Sequence, residues 1–151
     1  MIWKWILARA VSNFGKVDEK TYRSGQGWMM LLFVLPFLKV DAVINLSHKP
    51  WKDVQDRFEE WLCRKRGIEY AAFPTVYWGD ERFEEAYAFL RHHRNRRVLV
   101  HCEAGKDRTG GIIARYMWDL GECWTDILEE WDVHKKPAED WLQSMLGALG
   151  S

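Results

Sequence analysis

The sequence predicts a single α/β domain over residues 1–151, in which a central and mainly parallel sheet is flanked by helices. The chain has 151 residues, of which 48% are apolar and 29% are charged, the size and composition of one globular domain. Short apolar runs, typical of buried strands, alternate with longer segments whose apolar residues recur every three or four positions. Strands that alternate with helices in this way are characteristic of α/β domains.

Short strands are expected in the first third of the chain. Two of them lie over residues 14–17 and 21–23, and a buried strand follows over residues 42–46. Between them, the apolar stretch 28–35 predicts a short buried helix that stops near Pro36, because proline interrupts helices.

Helices with intervening buried strands are expected in the rest of the chain. A helix over residues 51–66 is indicated by apolar residues at helical spacing, and Gly67 is expected to end it. The apolar residues of that helix are Trp51, Val54, Phe58, Trp61 and Leu62. The further elements are strands over 68–73 and 98–101 and helices over 80–93, 110–120, 124–131 and 137–149. The inner faces of the helices over 80–93 and 110–120 are expected to carry Phe83, Ala86, Tyr87 and Leu90, and Ile112, Ile113, Tyr116, Met117 and Leu120.

Charge and cysteine content exclude several classes of function. The formal net charge is zero, from 22 basic and 22 acidic residues, whereas nucleic-acid-binding proteins normally carry a basic excess. The cysteines Cys63, Cys102 and Cys123 form no even disulfide framework and lack metal-ligand spacing. We therefore expect no nucleic-acid partner, no metal and a reducing compartment, the cytoplasm.

Two apolar stretches, residues 1–10 and 29–38, are too short to span a bilayer, and Lys4 and Arg9 interrupt the first. We expect the first stretch to pack on the domain, with a membrane-surface helix as the alternative. The chain is expected to act as a monomer without stable membrane insertion.

One segment, residues 98–111, combines an apolar strand, a short loop and the start of a helix. The loop begins at Cys102 and closes at Arg108. Backbone N–H groups in a tight loop at a helix N-terminus form an anion site, and Gly105 permits the turn that such a loop requires. Arg108 can donate two parallel hydrogen bonds to a phosphate. The same field favours the thiolate of Cys102, which can then attack a bound phosphate.

Other residues of this loop are candidates for binding the substrate. The full set is His101, Glu103, Ala104, Gly105, Lys106, Asp107 and Arg108. The Thr109 hydroxyl is placed to hydrogen-bond the Cys102 thiolate, and we expect His101 to fix the loop rather than to act as a base.

The pattern His101-Cys102-x-x-Gly105-x-x-Arg108-Thr109-Gly110 resembles the H-C-x-x-G-x-x-R-[ST]-G signature of protein tyrosine and dual-specificity phosphatases. Upstream, residues 21–26 resemble the Y-R-S-G-Q segment of small atypical dual-specificity phosphatases. The resemblance implies the fold of that family and hydrolysis through a phosphocysteine intermediate, without metal or cofactor. A rhodanese-like sulfur-transfer domain is an alternative that fits the residues after Gly105 less well.

The resemblance also implies a general acid that protonates the leaving group. Asp80, in the loop before the helix over 80–93, is the first candidate, although an aspartate at a helix start is also a common N-cap. Asp107, inside the loop beside Arg108, is the rival, and Glu81 is a weaker third. The sequence leaves these alternatives open.

The substrate class is the least determined property. Tyr77 and Trp78 could flank a phosphotyrosine ring, whereas Lys106 would favour a phosphoinositide or an inositol phosphate. The neutral net charge offers no field to steer a polyanion. We therefore expect a phosphotyrosine or dual-specificity activity first, with inositol-based substrates as the alternative and a phosphate-binding module without turnover as an alternative of another class.

Overall fold

The computed structural model of the chain describes residues 13–27, 30–47, 54–76, 79–103 and 107–133. Five strands are present in these residues: β1 (Gly15–Lys16), β2 (Thr21–Gly25), β3 (Ala42–Asn45), β4 (Glu69–Ala72) and β5 (Val98–Cys102). They form one sheet in the order β1-β2-β5-β3-β4, in which β1 is antiparallel to β2 and the other pairs are parallel.

Strand β5 lies at the centre of the sheet and is buried along its whole length. Its valines and leucine suit a strand that is covered on both faces. Gly25 of β2 pairs with Cys102, and Asn45 of β3 pairs with His101. The carboxyl ends of three parallel strands therefore meet at one edge of the sheet, which is where α/β folds bind their ligands.

Helices cover both faces of the sheet. The four α-helices of the described part are α1 (Val54–Lys65), α2 (Glu81–His92), α3 (Asp107–Asp119) and α4 (Trp124–Val133). On one face, α2, α3 and α4 pack on the sheet through residues such as Leu90, Ile113 and Ile127. On the other face, α1 and the segment 30–40 cover Val43 and Leu99. The predicted α/β fold with a mainly parallel sheet is confirmed.

The short helix predicted after β2 is present but irregular. It forms a π-helical turn, Met30–Val34, followed by a 3₁₀ turn, Leu35–Phe37, and ends one residue after Pro36. Proline fits the first positions of a helical turn because the N–H groups there have no intrahelical partner.

Strand β4 is not buried, contrary to expectation. Glu69 and Ala72 are exposed, and Tyr70 and Ala71 are only half-buried. The reason is topological, since β4 is the edge strand and pairs with β3 alone.

The buried face of α1 also differs from the one predicted. Val54 is 69% exposed and Trp61 51% exposed, whereas Asp56 and Glu59 are buried together with Leu62 and Cys63. The carboxylates are buried because polar side chains from the ends of the strands bind them, as described below. Gly67 follows α1 with a φ of 68°, as predicted for a helix end.

The other predicted helices are present with shifted ends. The inner-face residues of α2 are buried as predicted, but Leu120 is exposed because α3 ends at Asp119. The predicted elements over residues 1–10 and 137–149 lie outside the described residues.

Candidate functional site

Cys102 lies at the carboxyl end of the central strand and is buried. Helix α3 begins five residues later at Asp107, three residues before the predicted start at residue 110, so a strand ends at Cys102 and a helix follows it closely. The N-terminus of α3, where a helix has its positive dipole end, therefore lies close to Cys102 along the chain.

Neighbouring strands hold the start of the loop through backbone hydrogen bonds. The Gln26 N–H donates to the Cys102 carbonyl at 2.7 Å and to the Glu103 carbonyl at 3.0 Å. The Leu46 N–H donates to the His101 carbonyl at 2.8 Å. The first loop residues are thus fixed by the chain segments that follow β2 and β3.

The Arg108 guanidinium lies at the same edge of the sheet. Its Nη1 donates to the carbonyls of Leu46 at 3.3 Å and Thr75 at 3.4 Å. Its Nη2 lies 3.9 Å from Glu103 Oε2. The guanidinium is therefore held across the segments that follow β3 and β4.

A buried histidine–carboxylate pair joins β5 to α1. His101 Nε2 and Glu59 Oε1 are 2.6 Å apart, and both side chains are fully buried. A buried carboxylate is costly unless it is paired and hydrogen-bonded. We predicted that His101 fixes the loop. Glu59 is the residue that would hold it, because the pair ties His101, the residue before Cys102, to α1.

Asn45 extends this pair into a polar network. Its Nδ2 donates to Asp56 Oδ1 at 3.0 Å, Glu59 Oε2 at 3.4 Å and the Tyr70 hydroxyl at 2.9 Å, and its Oδ1 accepts from the Ser47 N–H at 2.9 Å. Burial, followed by the charge of Glu59, raises the pKa of Tyr70. The network therefore joins Asn45 at the end of β3 and Tyr70 of β4 to α1.

Gln26 connects the end of β2 to the same network. Its Nε2 donates to Asp56 Oδ1 at 2.6 Å and to Glu59 Oε2 at 3.3 Å. Sequence reasoning missed these residues. The available signal was the pair of acids three positions apart on α1, on the same side as Leu62 and Cys63.

Thr109 is fully buried in the first turn of α3. Its hydroxyl has no hydrogen-bond partner among the residues that the structure describes. A buried hydroxyl of this kind is unusual and calls for an explanation. The predicted hydrogen bond to the Cys102 thiolate would supply one, and it stays a prediction.

Asp80 is the N-cap of α2. Its Oδ1 accepts from the Arg82 N–H at 2.8 Å, and its Oδ2 accepts from the Val76 N–H at 3.2 Å. The carboxylate thus closes the turn that follows Thr75, whose carbonyl binds Arg108. The structural interpretation of Asp80 is observed, and its role as an acid stays a prediction.

Several predicted site residues are described only in part. Ala104, Gly105 and Lys106 lie outside the described residues, as do Tyr77 and Trp78. Asp107 begins α3, and its side chain is outside the description. Glu103 is exposed at the start of the loop, and Glu81 is exposed at the start of α2.

None of the three cysteines forms a disulfide. Cys63 is buried on α1, and burial, with Glu59 and Glu60 adding to it, raises the pKa of its thiol to about 12. Cys123 is exposed just before α4.

The part of the chain that the structure describes has neither a metal-binding cluster nor a membrane-spanning helix. No group of three or more histidine, cysteine or acidic side chains there is arranged to hold a metal ion. No helix there is long and apolar enough to cross a membrane.

Comparison with known sequences gives consistent matches. The sequence model of the tyrosine phosphatase family matches residues 45–147. Inositol diphosphatase DSP2 of Oryza sativa subsp. japonica is 28% identical over 134 residues, which cover 84% of this chain and 66% of that protein. Inositol diphosphatase DSP4 of Arabidopsis thaliana is 30% identical over 122 residues, which cover 79% of this chain and 62% of that protein. The chain thus spans less than two thirds of the length of these curated relatives.

Solved structures resemble the chain over most of its length. The core catalytic domain of the PP-IP phosphatase SIW14 from S. cerevisiae superposes with a TM-score of 0.69 at 20% identity, covering 89% of this chain and 83% of that one. P. aeruginosa TpbA superposes with a TM-score of 0.65 at 21% identity, covering 94% and 93%. At such identities the likeness establishes the fold that these proteins share.

Proposed function

Because the chain belongs to the tyrosine phosphatase family, a family of phosphatase enzymes, we propose that it transfers a phosphoryl group from an inositol diphosphate to Cys102 and then to water. The observation that carries the proposal is that Cys102, at the end of β5, and the guanidinium of Arg108 lie at the same edge of the sheet. A thiolate nucleophile and a fixed guanidinium are what phosphoryl transfer without a metal requires.

The first step forms a bond between the Cys102 sulfur and phosphorus and breaks the bond from phosphorus to the leaving oxygen. That oxygen takes a proton from an acidic side chain. In the second step, water attacks phosphorus, the sulfur leaves as a thiolate, and the same carboxylate accepts the proton from water. Arg108 and the loop N–H groups bind the phosphoryl oxygens in both steps, and Thr109 hydrogen-bonds the departing thiolate.

We place Asp107 ahead of Asp80 as the acid, reversing the order that the sequence suggested. Asp80 caps α2 and its two carboxylate oxygens accept the Arg82 and Val76 N–H groups, so both oxygens are already bound to the turn that precedes α2. Asp107 stands at the start of α3, directly before Arg108. Glu81 is exposed and has no feature that supports the role.

Asp80→Asn and Asp107→Asn variants test this order. Loss of the acid should lower kcat strongly for a poor leaving group and much less for a nitrophenolate, which leaves without a proton. A selective loss in Asp80→Asn, with Asp107→Asn unaffected, would restore the first order.

The substrate class rests on the curated relatives, which are named inositol diphosphatases and match 79% to 84% of the chain. Lys106, in the loop, adds a positive charge that favours a polyanion over a simple ester. A second candidate is a phosphotyrosine or dual-specificity protein phosphatase, the class first expected from the sequence, because the matching family is described as a tyrosine phosphatase family.

A substrate panel separates these candidates. The purified chain is assayed for phosphate release from an inositol diphosphate, inositol hexakisphosphate, phosphoinositide vesicles, and phosphotyrosine and phosphoserine peptides. Cys102→Ser is the blank, and Cys123→Ser, a change in an exposed thiol, is the matched control. The highest kcat/KM is expected with the inositol diphosphate. Preference for the phosphotyrosine peptide would support the second candidate, and release equal to that of the blank on every substrate would favour a phosphate-binding module.

Three further expectations from the sequence stay predictions: a cytoplasmic location, a monomeric state, and one domain over residues 1–151. Sedimentation of the purified chain measures its oligomeric state, and limited proteolysis measures whether one protected fragment includes both ends of the sequence.

A further inference from the structure

A second arginine is buried near the candidate nucleophile. Arg23, on β2, is 1% exposed, and its Nη1 donates to Glu130 Oε1 on α4 at 3.1 Å. Arginine stays protonated in proteins, and burying its charge is unfavourable unless other groups compensate. The mechanism above gives Arg23 no task.

The strand register places Arg23 and Cys102 on the same face of the sheet. In the parallel pair of β2 and β5, Arg23 lies opposite Val100, and Gly25 lies opposite Cys102. Paired residues point to one face, and residues two positions apart along a strand share it. Because Gly25 has no side chain, no side chain of β2 lies between Arg23 and Cys102 on that face.

Charge links the two residues. Burial lowers the pKa of Arg23, while Glu130 and, more weakly, Cys102 oppose that lowering. The coupling is reciprocal, because a thiolate that favours a charged guanidinium is itself favoured by it. Arg23 therefore lies on the same face of the sheet as Cys102, and its positive charge favours the thiolate form of Cys102.

We propose that Arg23 is a positioning residue that stabilises the thiolate of Cys102 from within the core, and that Glu130 holds Arg23 in place while reducing its effect. The proposal rests on the proposed function only in taking Cys102 as the nucleophile. The two arginines thus have different roles. Arg108 binds the phosphate at the edge of the sheet, and Arg23 stabilises the Cys102 thiolate from the buried face of the sheet.

Other charged and titratable groups lie on the elements around β5 and remain unchanged in the variants used below. In the sequence, Glu103, Lys106, Asp107 and Arg108 follow Cys102 directly. On the α1 side of the sheet are Asp56, Glu59, Tyr70 and His101. On the α3 side, at the opposite end of β2 from Gly25, are Asp18 and Tyr116. Differences between variants therefore report the charge that was changed.

The experiment follows alkylation of Cys102 by iodoacetamide, read by peptide mass spectrometry on the full chain between about pH 5 and pH 9, since the thiolate is the reactive form. In Arg23→Met, the rate at about pH 6 should fall about tenfold, because the thiolate loses a positive charge that favours it. In Glu130→Gln, the rate should rise above that of the wild type, because the opposing negative charge is gone.

The opposite signs separate charge from structure, because both variants break the same ion pair. A rate in Glu130→Gln equal to or below the wild-type rate, or an unchanged rate in Arg23→Met, would overturn the proposal. If circular dichroism shows that Arg23→Met does not fold, the direction in Glu130→Gln decides alone.

The matched controls are Arg64→Met and Glu60→Gln, which break an exposed arginine–glutamate pair on α1 and should leave the rate at its wild-type value. Alkylation needs no substrate, so the result is independent of the outcome of the substrate panel.

Discussion

The two faces of the sheet differ in the side chains that cover them near the candidate site. Under α2, α3 and α4 the sheet is covered mainly by apolar side chains such as Leu90, Val100 and Ile113, together with the buried Arg23–Glu130 pair. Under α1, at the site edge, it is covered by a hydrogen-bonded group that includes Asn45, Asp56, Glu59 and His101. We call the first region the apolar face and the second the polar network.

The two regions should contribute different properties to the protein. Aliphatic packing is non-directional and stabilises the fold in proportion to the buried area. Hydrogen bonds are directional and fix the positions of the groups that they join. The apolar face should therefore determine stability, and the polar network should determine the geometry of the loop that contains Cys102.

The largest expected effect on stability comes from the apolar face. Leu90→Ala removes a fully buried side chain of α2 and should lower the free energy of unfolding by about 2–5 kcal/mol. Urea denaturation measures this loss, and kcat per folded molecule should stay at the wild-type value. Val54→Ala, at an exposed position of α1, is the control and should change stability by less than about 0.5 kcal/mol. A large fall in kcat for folded Leu90→Ala would erase the distinction between the faces.

The polar network should show the reverse pattern. Glu59→Gln keeps the size of the side chain but removes the charge that pairs with His101. Stability should fall by about 1–3 kcal/mol, while kcat should fall about tenfold to a hundredfold because the loop loses its support. Glu60→Gln, the adjacent residue, paired with Arg64 on the surface, should change neither. An unchanged kcat in Glu59→Gln would show that the polar network does not determine the geometry of the catalytic loop.

Thr109 offers a sharper test, because its hydroxyl is buried without a partner among the described residues. Thr109→Val should leave the free energy of unfolding unchanged or raise it, since an unsatisfied polar group is removed. If the hydroxyl binds the thiolate, kcat should fall about tenfold, the equivalent of about 1.4 kcal/mol. Stability and kcat are measured on the same sample. A fall in stability with kcat intact would assign the hydroxyl a structural role.

The smallest effect is expected outside both regions, at the edge strand β4. Glu69 accepts hydrogen bonds from His93 and Arg96 at 3.0 and 2.8 Å, and these bonds, His93 first, lower the pKa of Glu69. A carboxyl group with a lowered folded pKa contributes stability above its unfolded pKa and loses it as the pH falls through the folded value. Because Glu69 is half exposed, the contribution should be below about 1 kcal/mol.

Urea denaturation of the wild type and Glu69→Gln checks this sign. The wild type should be the more stable at about pH 7, and the difference should shrink as the pH is lowered toward about 3, because Glu69 becomes protonated and loses its charge. An equal difference at both values would show that the ion pair does not depend on titration of Glu69.

The same contrast explains what the sequence could predict. The elements of the apolar face follow from local periodicity, and α2 buries the residues expected of it, Phe83 and Leu90 among them. The strand, loop and helix around Cys102 are contiguous in the chain, so their order was readable as well. Family membership followed from the same stretch, and the family match supports it.

The polar network and the buried arginine were not predictable in this way. Asp56 and Glu59 look like surface residues until Asn45 and His101, from other segments, are placed beside them. Arg23 likewise is explained by Glu130, far along the chain. Apolar spacing predicted that Trp61 is buried, and this was wrong, since Trp61 is 51% exposed. Spacing along one helix does not show which groups from distant segments will contact each of its faces.

The central claim is that sulfur 102 carries the phosphoryl group during turnover, and trapping that intermediate tests it most directly. The chain is mixed with a radiolabelled phosphate ester, quenched rapidly in acid and digested, and the labelled peptide is sequenced by mass spectrometry. The account predicts one labelled peptide, phosphorylated on Cys102, and no label in Cys102→Ser. Turnover with the label on another residue, or with no labelled protein at any quench time, would contradict it.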